Sequence, residues 1–120
     1  MAIFKVFKVP EWQEFTENGE FKGSSDDLRD GFIHFSTESQ LRGTLDKYYA
    51  AEAEIIIALM SDAHWGDQLK WEPSRGGQLF PHLYGTVIRA DVTGQWRLKK
   101  SASSFDLSGI ARDLNLSFAL

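Results

Sequence analysis

Ile55-Ile56-Ile57-Ala58-Leu59-Met60 is an unbroken apolar run of six residues between Glu54 and Ser61. A bilayer crossing needs about 18 to 20 apolar residues, so this run belongs inside a protein core and not in lipid. Its β-branched start and its lack of alternation predict a strand over 54–60 that is apolar on both faces and central in its sheet. The remaining elements must cover both sides of it. With 120 residues, 42% of them hydrophobic, the chain has room for one such core and not two.

Other classes fall away on composition. There are no cysteines, which removes a disulfide framework, a thiolate metal site and a cysteine nucleophile. The N-terminus, Met1-Ala2-Ile3-Phe4-Lys5, has no basic segment leading into a long apolar one. That points away from a signal peptide and toward a cytoplasmic location. The net charge of −4 is uneven: residues 1–60 carry 6 basic and 11 acidic side chains, residues 61–120 carry 7 and 6. No basic stripe marks a duplex-binding face, so bulk nucleic-acid binding is not expected, although recognition of a single phosphate is compatible with the sequence. Arg97, Lys99 and Lys100 read as a solvated strand edge.

The pattern along the chain predicts one α+β domain over 1–100 and a tail over 101–120. Ala2 to Val9 reads as a first strand stopped by Pro10. A helix then runs to Gly19, with Glu11 and Glu14 near its positive end and Trp12 and Phe15 on one face. Residues 22–30 read as a polar turn, and 31–35 as a short buried strand. Thr37-Glu38-Ser39-Gln40 matches a capping box, so a second helix follows with Leu41, Leu45, Tyr48 and Tyr49 at helical spacing. Gly43 inside it reads either as close packing or as tolerance. Residues 61–67 read as a turn, Leu69-Lys70-Trp71 as a strand and 73–77 as a loop. Gly85 to Val92 and Gln95 to Lys99 read as two strands joined by a turn and paired antiparallel. In the tail, Phe105, Leu107, Ile110 and Leu114 suit a helix capped by Ser108 and docked on the domain. The whole is α+β, with two early helices and a mostly antiparallel sheet system. A doubly wound nucleotide fold is disfavoured, since neither Gly-x-Gly-x-x-Gly nor Gly-x-x-x-x-Gly-Lys-Ser/Thr occurs.

Two segments are unusual for plain scaffold. In 27–37, Asp27, Arg29 and Asp30 precede a strand whose one polar residue is His34, and Ser36 and Thr37 stand at a helix start. A strand end meeting a helix N-terminus suits an anion, because free N–H groups and the helix dipole both favour negative charge. The alternative is a hydrogen-bonded core histidine followed by two capping hydroxyls. In 71–85, Trp71, Glu72, Arg75, His82 and Tyr84 lie among aromatics and glycines, a mixture suited to an apolar pocket with a few directed polar groups. The alternative is a surface Glu72–Arg75 ion pair, with His82 and Tyr84 bonded to loop carbonyls. His34, His64 and His82 lack the spacing of metal ligands, so no metal is expected. No Gly-x-Ser-x-Gly elbow is present.

The wording of these segments resembles the bacterial family catalogued as domain of unknown function 952. The resemblance lies in 23–37 with its Asp30-Gly31-Phe32-Ile33-His34-Phe35-Ser36-Thr37, in Gln40, Gly43 and Thr44, in Leu69-Lys70-Trp71-Glu72, and in Phe80-Pro81-His82-Leu83-Tyr84-Gly85. It spans about residues 3 to 98. That family is in turn similar to the ADP-ribosyltransferase-like superfamily. The similarity implies a split antiparallel sheet core, a cleft for NAD, and transfer or cleavage of ADP-ribose. It implies that His34, with Ser36 or Thr37, holds the ribose and carboxamide, and that Glu72 is the nearest candidate to stabilise positive charge at the ribose. The superfamily glutamate usually follows on a later strand than Glu72 does.

The leading expectation is therefore a nucleotide or phosphorylated small-molecule binding protein whose cleft is formed by 27–37 and 71–85. His34 and Glu72 are the catalytic candidates. The ligand-binding candidates are Arg29 and Arg75 for phosphate, Ser36 or Thr37 for an amide or phosphate, Trp71 or Tyr84 for a base, with Asp30 and His82 beside them. Two other readings stand against it. One is a regulatory or protein-interaction module with Trp65, Trp71 and Phe80 as exposed anchors; the other is an unrelated hydrolase with His34 or His82 as general base.

Overall fold

The computed structural model describes residues 1–116. Its centre is a three-stranded antiparallel sheet in the order β1 (Ala2–Lys8), β4 (Glu54–Ser61), β8 (Gly94–Lys99). The apolar run is thus the middle strand, paired along its length from Ala2↔Ser61 to Lys8↔Ile55 on one side and from Glu54↔Lys99 to Leu59↔Gly94 on the other. Side chains alternate across a strand, and here both faces are covered. Ile3 and Phe7 with Ile56, Ala58 and Met60 face α1 (Val9–Asn18), where Trp12 and Phe15 complete the packing. Phe4 and Val6 with Ile55 and Ile57 face α3 (Glu38–Tyr48), through Leu41 and Leu45.

Local rules explain the ends of these helices. Pro10 sits in the first turn of α1, Glu11 accepts the Lys8 backbone N–H at 2.8 Å, and Gly19 closes the helix at φ 82°. In α3 the Gln40 side chain returns to the Thr37 N–H at 3.0 Å, as a capping box requires.

Beyond the central sheet lie a two-stranded ribbon, β2 (Glu20–Phe21) with β7 (Val87–Ile88), and a second three-stranded sheet, β3 (Ile33–His34), β6 (Leu79–Leu83), β5 (Leu69–Pro73). Every strand pairing is antiparallel. The two larger sheets are stitched together where Phe4 and Ser36 exchange backbone hydrogen bonds of 2.8 and 2.9 Å.

Three expectations need correction. Three helices, not two, precede β4, because Ser25–Asp30 forms α2: Ser24 and Asp27 cap it reciprocally, and Gly31 ends it at φ 88°. The predicted hairpin of 85–92 with 95–99 does not form. Only Val87–Ile88 is strand, it pairs with β2, and β8 pairs with β4. Residues 79–83, to which the sequence pattern assigned no element, form a central strand, β6, despite Pro81. Phe35 donates to the Pro81 carbonyl at 3.0 Å, and the ladder with β3 ends there, where proline has no N–H to return. Finally, Ser108 begins α4 (Ser108–Leu114) and does not cap it; Asp106 accepts the Ser108 N–H at 2.9 Å.

The tail packs on the domain as far as it is described. Phe105, Leu107 and Ile110 are buried in the cluster that holds Phe4, Val6, Leu41 and Leu45. Residues 117–120 of the predicted tail lie outside the described residues. Among those described, no helix is long and apolar enough to cross a membrane.

Candidate functional site

Strand register decides which polar residues can meet. His34 pairs with His82, Lys70 with His82 and Glu72 with Phe80, so all five side chains share one face of the second sheet. Ile33, Leu69 and Leu83 occupy the opposite face and are buried in the core. Trp71 goes with them: it packs half-buried against that core and cannot stack on a base in the cleft. Trp65 is likewise half-buried and Phe80 is buried, so the three proposed anchors do not form an exposed aromatic patch.

The histidine face forms one wall of a cavity of about 200 Å³, closed on other sides by β1, α2 and α3. His34, Ser36, Arg29, Asp30, Arg75 and His82 all line it, so the two motif segments do meet in space. Thr37 does not line it; its hydroxyl is 3.3 Å from Ser39 at the start of α3. Ser36 is buried with its hydroxyl 2.7 Å from that of Thr44.

The sharpest feature of the cavity is Asp27, which the sequence reading left outside its candidates. It is 2% exposed and its carboxylate gathers four groups from three elements. Lys5 Nζ of β1, itself 3% exposed, is 2.8 Å away. The Ser24 N–H donates at 2.9 Å, the His34 N–H at 3.1 Å, and His34 Nδ1 lies at 2.6 Å. Burial alone would push this carboxyl up. The His34 hydrogen bond, the charge and hydrogen bond of Lys5 and the Ser24 amide together hold it well below the usual carboxylate range. The second ring nitrogen of His34, Nε2, lies 3.0 Å from Asp30 at the cavity mouth. Asp30 also takes the Arg29 Nε at 3.1 Å, and that bond lowers its pKa. His34 thus stands between two carboxylates, one buried and one partly open to solvent.

The second imidazole has a different setting. His82 is 4% exposed, stacked on Phe32 at 4.0 Å and edge-on to His34 at 5.5 Å. Its Nδ1 lies 2.8 Å from Glu72 Oε1, the oxygen that also accepts the Tyr84 hydroxyl at 2.8 Å. Those two bonds lower the Glu72 pKa. Burial lowers the His82 pKa against the opposing pull of Glu72. Glu72 and Tyr84 do not line the cavity. The Glu72 carboxylate, read from the sequence as a catalytic candidate, is engaged by His82 and Tyr84 outside the cavity lining.

Arg75 is the one basic residue of the 71–85 segment that reaches the cavity. Its guanidinium lies 4.9 Å over the Phe80 ring, with long 3.4 Å bonds to the Gln40 carbonyl and the Thr44 hydroxyl. Among the described residues it forms no ion pair, and in particular none with Glu72. A Cβ on Gly43 would stand 3.1 Å from Arg75 Nη2, so this glycine in α3 makes room for the guanidinium. Four basic side chains (Lys5, Lys8, Arg29, Arg75) face three carboxylates (Asp26, Asp27, Asp30) around the cavity. In a chain of net charge −4 that is a local positive excess. Among the described residues no group of three or more His, Asp or Glu side chains is placed to hold a metal ion.

No curated protein matches the chain. Among solved structures, the crystal structure of protein CC0527 from Caulobacter crescentus is 34% identical, with a TM-score of 0.87 over 93% of this chain and 99% of that one. The solution NMR structure of CC0527 is 35% identical, with a TM-score of 0.80 over 91% and 95% of the two chains. Residues 6–95, which run from the end of β1 through most of the candidate site to the start of β8, match the family described as "Protein of unknown function (DUF952)". The chain belongs to the DUF952 family.

Proposed function

We propose that the cavity between α2, α3 and the His34–His82 sheet face binds the phosphorylated end of a nucleotide or similar small molecule. The observation that carries this reading is Arg75: a guanidinium inside a cavity, seated on an aromatic ring and held by two long bonds, with no carboxylate paired to it. A phosphate oxygen would supply the strong charge-assisted hydrogen bonds that Gln40 and Thr44 do not. The local excess of basic groups favours the same sign of ligand.

The ADP-ribosyltransferase-like resemblance makes NAD or ADP-ribose the first ligands to test. The residues fit one end of such a ligand. The cavity of about 200 Å³ is smaller than sites that enclose a drug-sized molecule, roughly 300–1,000 Å³, so the rest of a dinucleotide would lie across the open mouth beside Arg29 and Lys8. His34 could meet a ribose only through Nε2, since Asp27 occupies Nδ1 from the buried side, and Asp30 would have to release that nitrogen. If the protein catalyses transfer or NAD cleavage, His34 and His82 are the groups at the cavity surface, with Glu72 behind His82.

A titration of labelled protein with NAD, nicotinamide and ADP-ribose, following the amides of 27–37 and 71–85, tests this reading. Saturable shifts confined to those segments, and weakened by His34→Ala, are expected. No shifts at millimolar ligand, or shifts spread over the α1 surface instead, would overturn it.

A further inference from the structure

Two imidazoles 5.5 Å apart face one cavity, yet the carboxylates around them engage one ring at both nitrogens and the other at only one. His34 has a carboxylate at each ring nitrogen, Asp27 at 2.6 Å and Asp30 at 3.0 Å, so both of its edges are already engaged by the protein. His82 has a carboxylate at Nδ1 alone. Glu72 Oε1 already accepts the Tyr84 hydroxyl, and a carboxylate in that role needs His82 Nδ1 to be a donor as well. This fixes the proton on Nδ1 and leaves the lone pair on Nε2. Phe32 covers one ring face at 4.0 Å, so the ring is held in place. No buried side-chain nitrogen or oxygen among the described residues lacks a partner. Among the described residues His82 Nε2 has no hydrogen-bond partner, so this nitrogen is not sealed off, and His82 lines the cavity.

We infer that His82 Nε2 is a hydrogen-bond acceptor built to read a ligand hydroxyl, and that the cavity takes phosphorylated alcohols such as ribose phosphates in preference to their deoxy analogues. The inference rests on the phosphate reading of Arg75 and adds a second requirement to it. A neutral imidazole acceptor gains nothing from a phosphate, which is itself an acceptor, and it needs an O–H or N–H donor. Arg75, reaching the same cavity from above Phe80, supplies the complementary anion contact. Glu72 and Tyr84 are then positioning residues: they touch no ligand, and they set which nitrogen of His82 carries the proton.

The test joins one spectrum to one binding comparison. Long-range ¹H–¹⁵N correlation of the histidine rings at neutral pH should show His82 protonated on Nδ1 with an unprotonated Nε2, and Glu72→Gln should mix the tautomers. Calorimetric titration should show ADP binding at least about tenfold more tightly than 2′,3′-dideoxy-ADP, the scale expected when a buried acceptor loses its donor. His82→Asn keeps a polar atom toward Glu72 and places none at Nε2, so it should abolish that preference, the variant binding ADP and dideoxy-ADP with equal affinity. A proton on Nε2 in the free protein overturns the inference without any ligand or variant. Equal affinity for the two nucleotides overturns it while the phosphate site stands. Absence of binding by either nucleotide removes the phosphate reading and this inference together.

Discussion

Asp27 concentrates the physics of the site in one side chain. Its carboxylate caps α2, neutralises Lys5 in the core and fixes one edge of His34. Asp27→Ala would leave the Lys5 ammonium buried without a counter-ion, and a cost of about 3–5 kcal/mol is expected in denaturant unfolding. Replacing both partners, as Lys5→Met with Asp27→Leu, should cost less than the single change, because no uncompensated charge remains. The same carboxylate sets an acid limit. Its folded pKa lies below its ordinary value of 3.8, so its stabilisation is present above that value and is lost as pH falls below it toward the depressed folded pKa. His82 adds a milder dependence of the same sign. Its folded pKa is lowered from 6.5, so stability rises as pH climbs past that range and the neutral ring is favoured at pH 7. Unfolding midpoints between pH 3 and 8 should rise with pH in Asp27-containing protein, and the acid limb should flatten in the Lys5/Asp27 double variant. Lys5 is invisible as a site residue in sequence, because a lysine in an apolar strand reads as an edge residue. Ser24-x-x-Asp27 was the available clue, since a capping box there would have placed Asp27 at a helix start just before His34.

At the scale of elements, α3 and β6 explain why a glycine stands inside a helix. Gly43 has ordinary helical geometry, so alanine should contribute up to about 1 kcal/mol of helix propensity. Its Cβ would meet Arg75 Nη2 at 3.1 Å and shift the guanidinium off its place above Phe80. Gly43→Ala is therefore expected to keep or raise the melting temperature while weakening ADP-ribose binding several-fold. Parallel loss of both would mean that the glycine serves packing alone. The strand at 54–61, the helix after Thr37 and the helix after Pro10 were legible because hydrophobic period and cap chemistry agree in each. Strand β6 was not, because Pro81 argues against a central strand unless the ladder is known to stop there. The false hairpin over 85–99 has a similar origin: β7 and β8 are adjacent in sequence but find partners 35 to 68 positions away, at Glu20–Phe21 and Glu54–Leu59. Local turn chemistry carries no information about such distant choices.

For the whole molecule, the tail and the site lie on opposite sides of the same argument about burial. Phe105, Leu107 and Ile110 cover Phe4, Val6, Leu41 and Leu45, and so brace the β1 and α3 walls that also line the cavity. Ending the chain after Lys100 would expose that cluster, and a loss of cooperative thermal unfolding with aggregation in size-exclusion chromatography is expected. A truncated chain that melts like the full one would show that the cluster contributes little. The convergence of 27–37 and 71–85 on one cavity followed from their shared polarity, but the face on which each residue falls needed the register. That register separates Trp71 from His82 and puts Glu72 behind an imidazole.

The most direct test of the central claim is the affinity of ADP-ribose for wild type and Arg75→Ala, measured by isothermal titration calorimetry at low and high salt. One-site binding that weakens with salt in the wild type, and that drops by at least about tenfold in the variant, is the predicted result; a lost charge-assisted bond is worth about 1.5–3 kcal/mol. Equal affinity in the two proteins, or no heat of binding in either, would contradict the account.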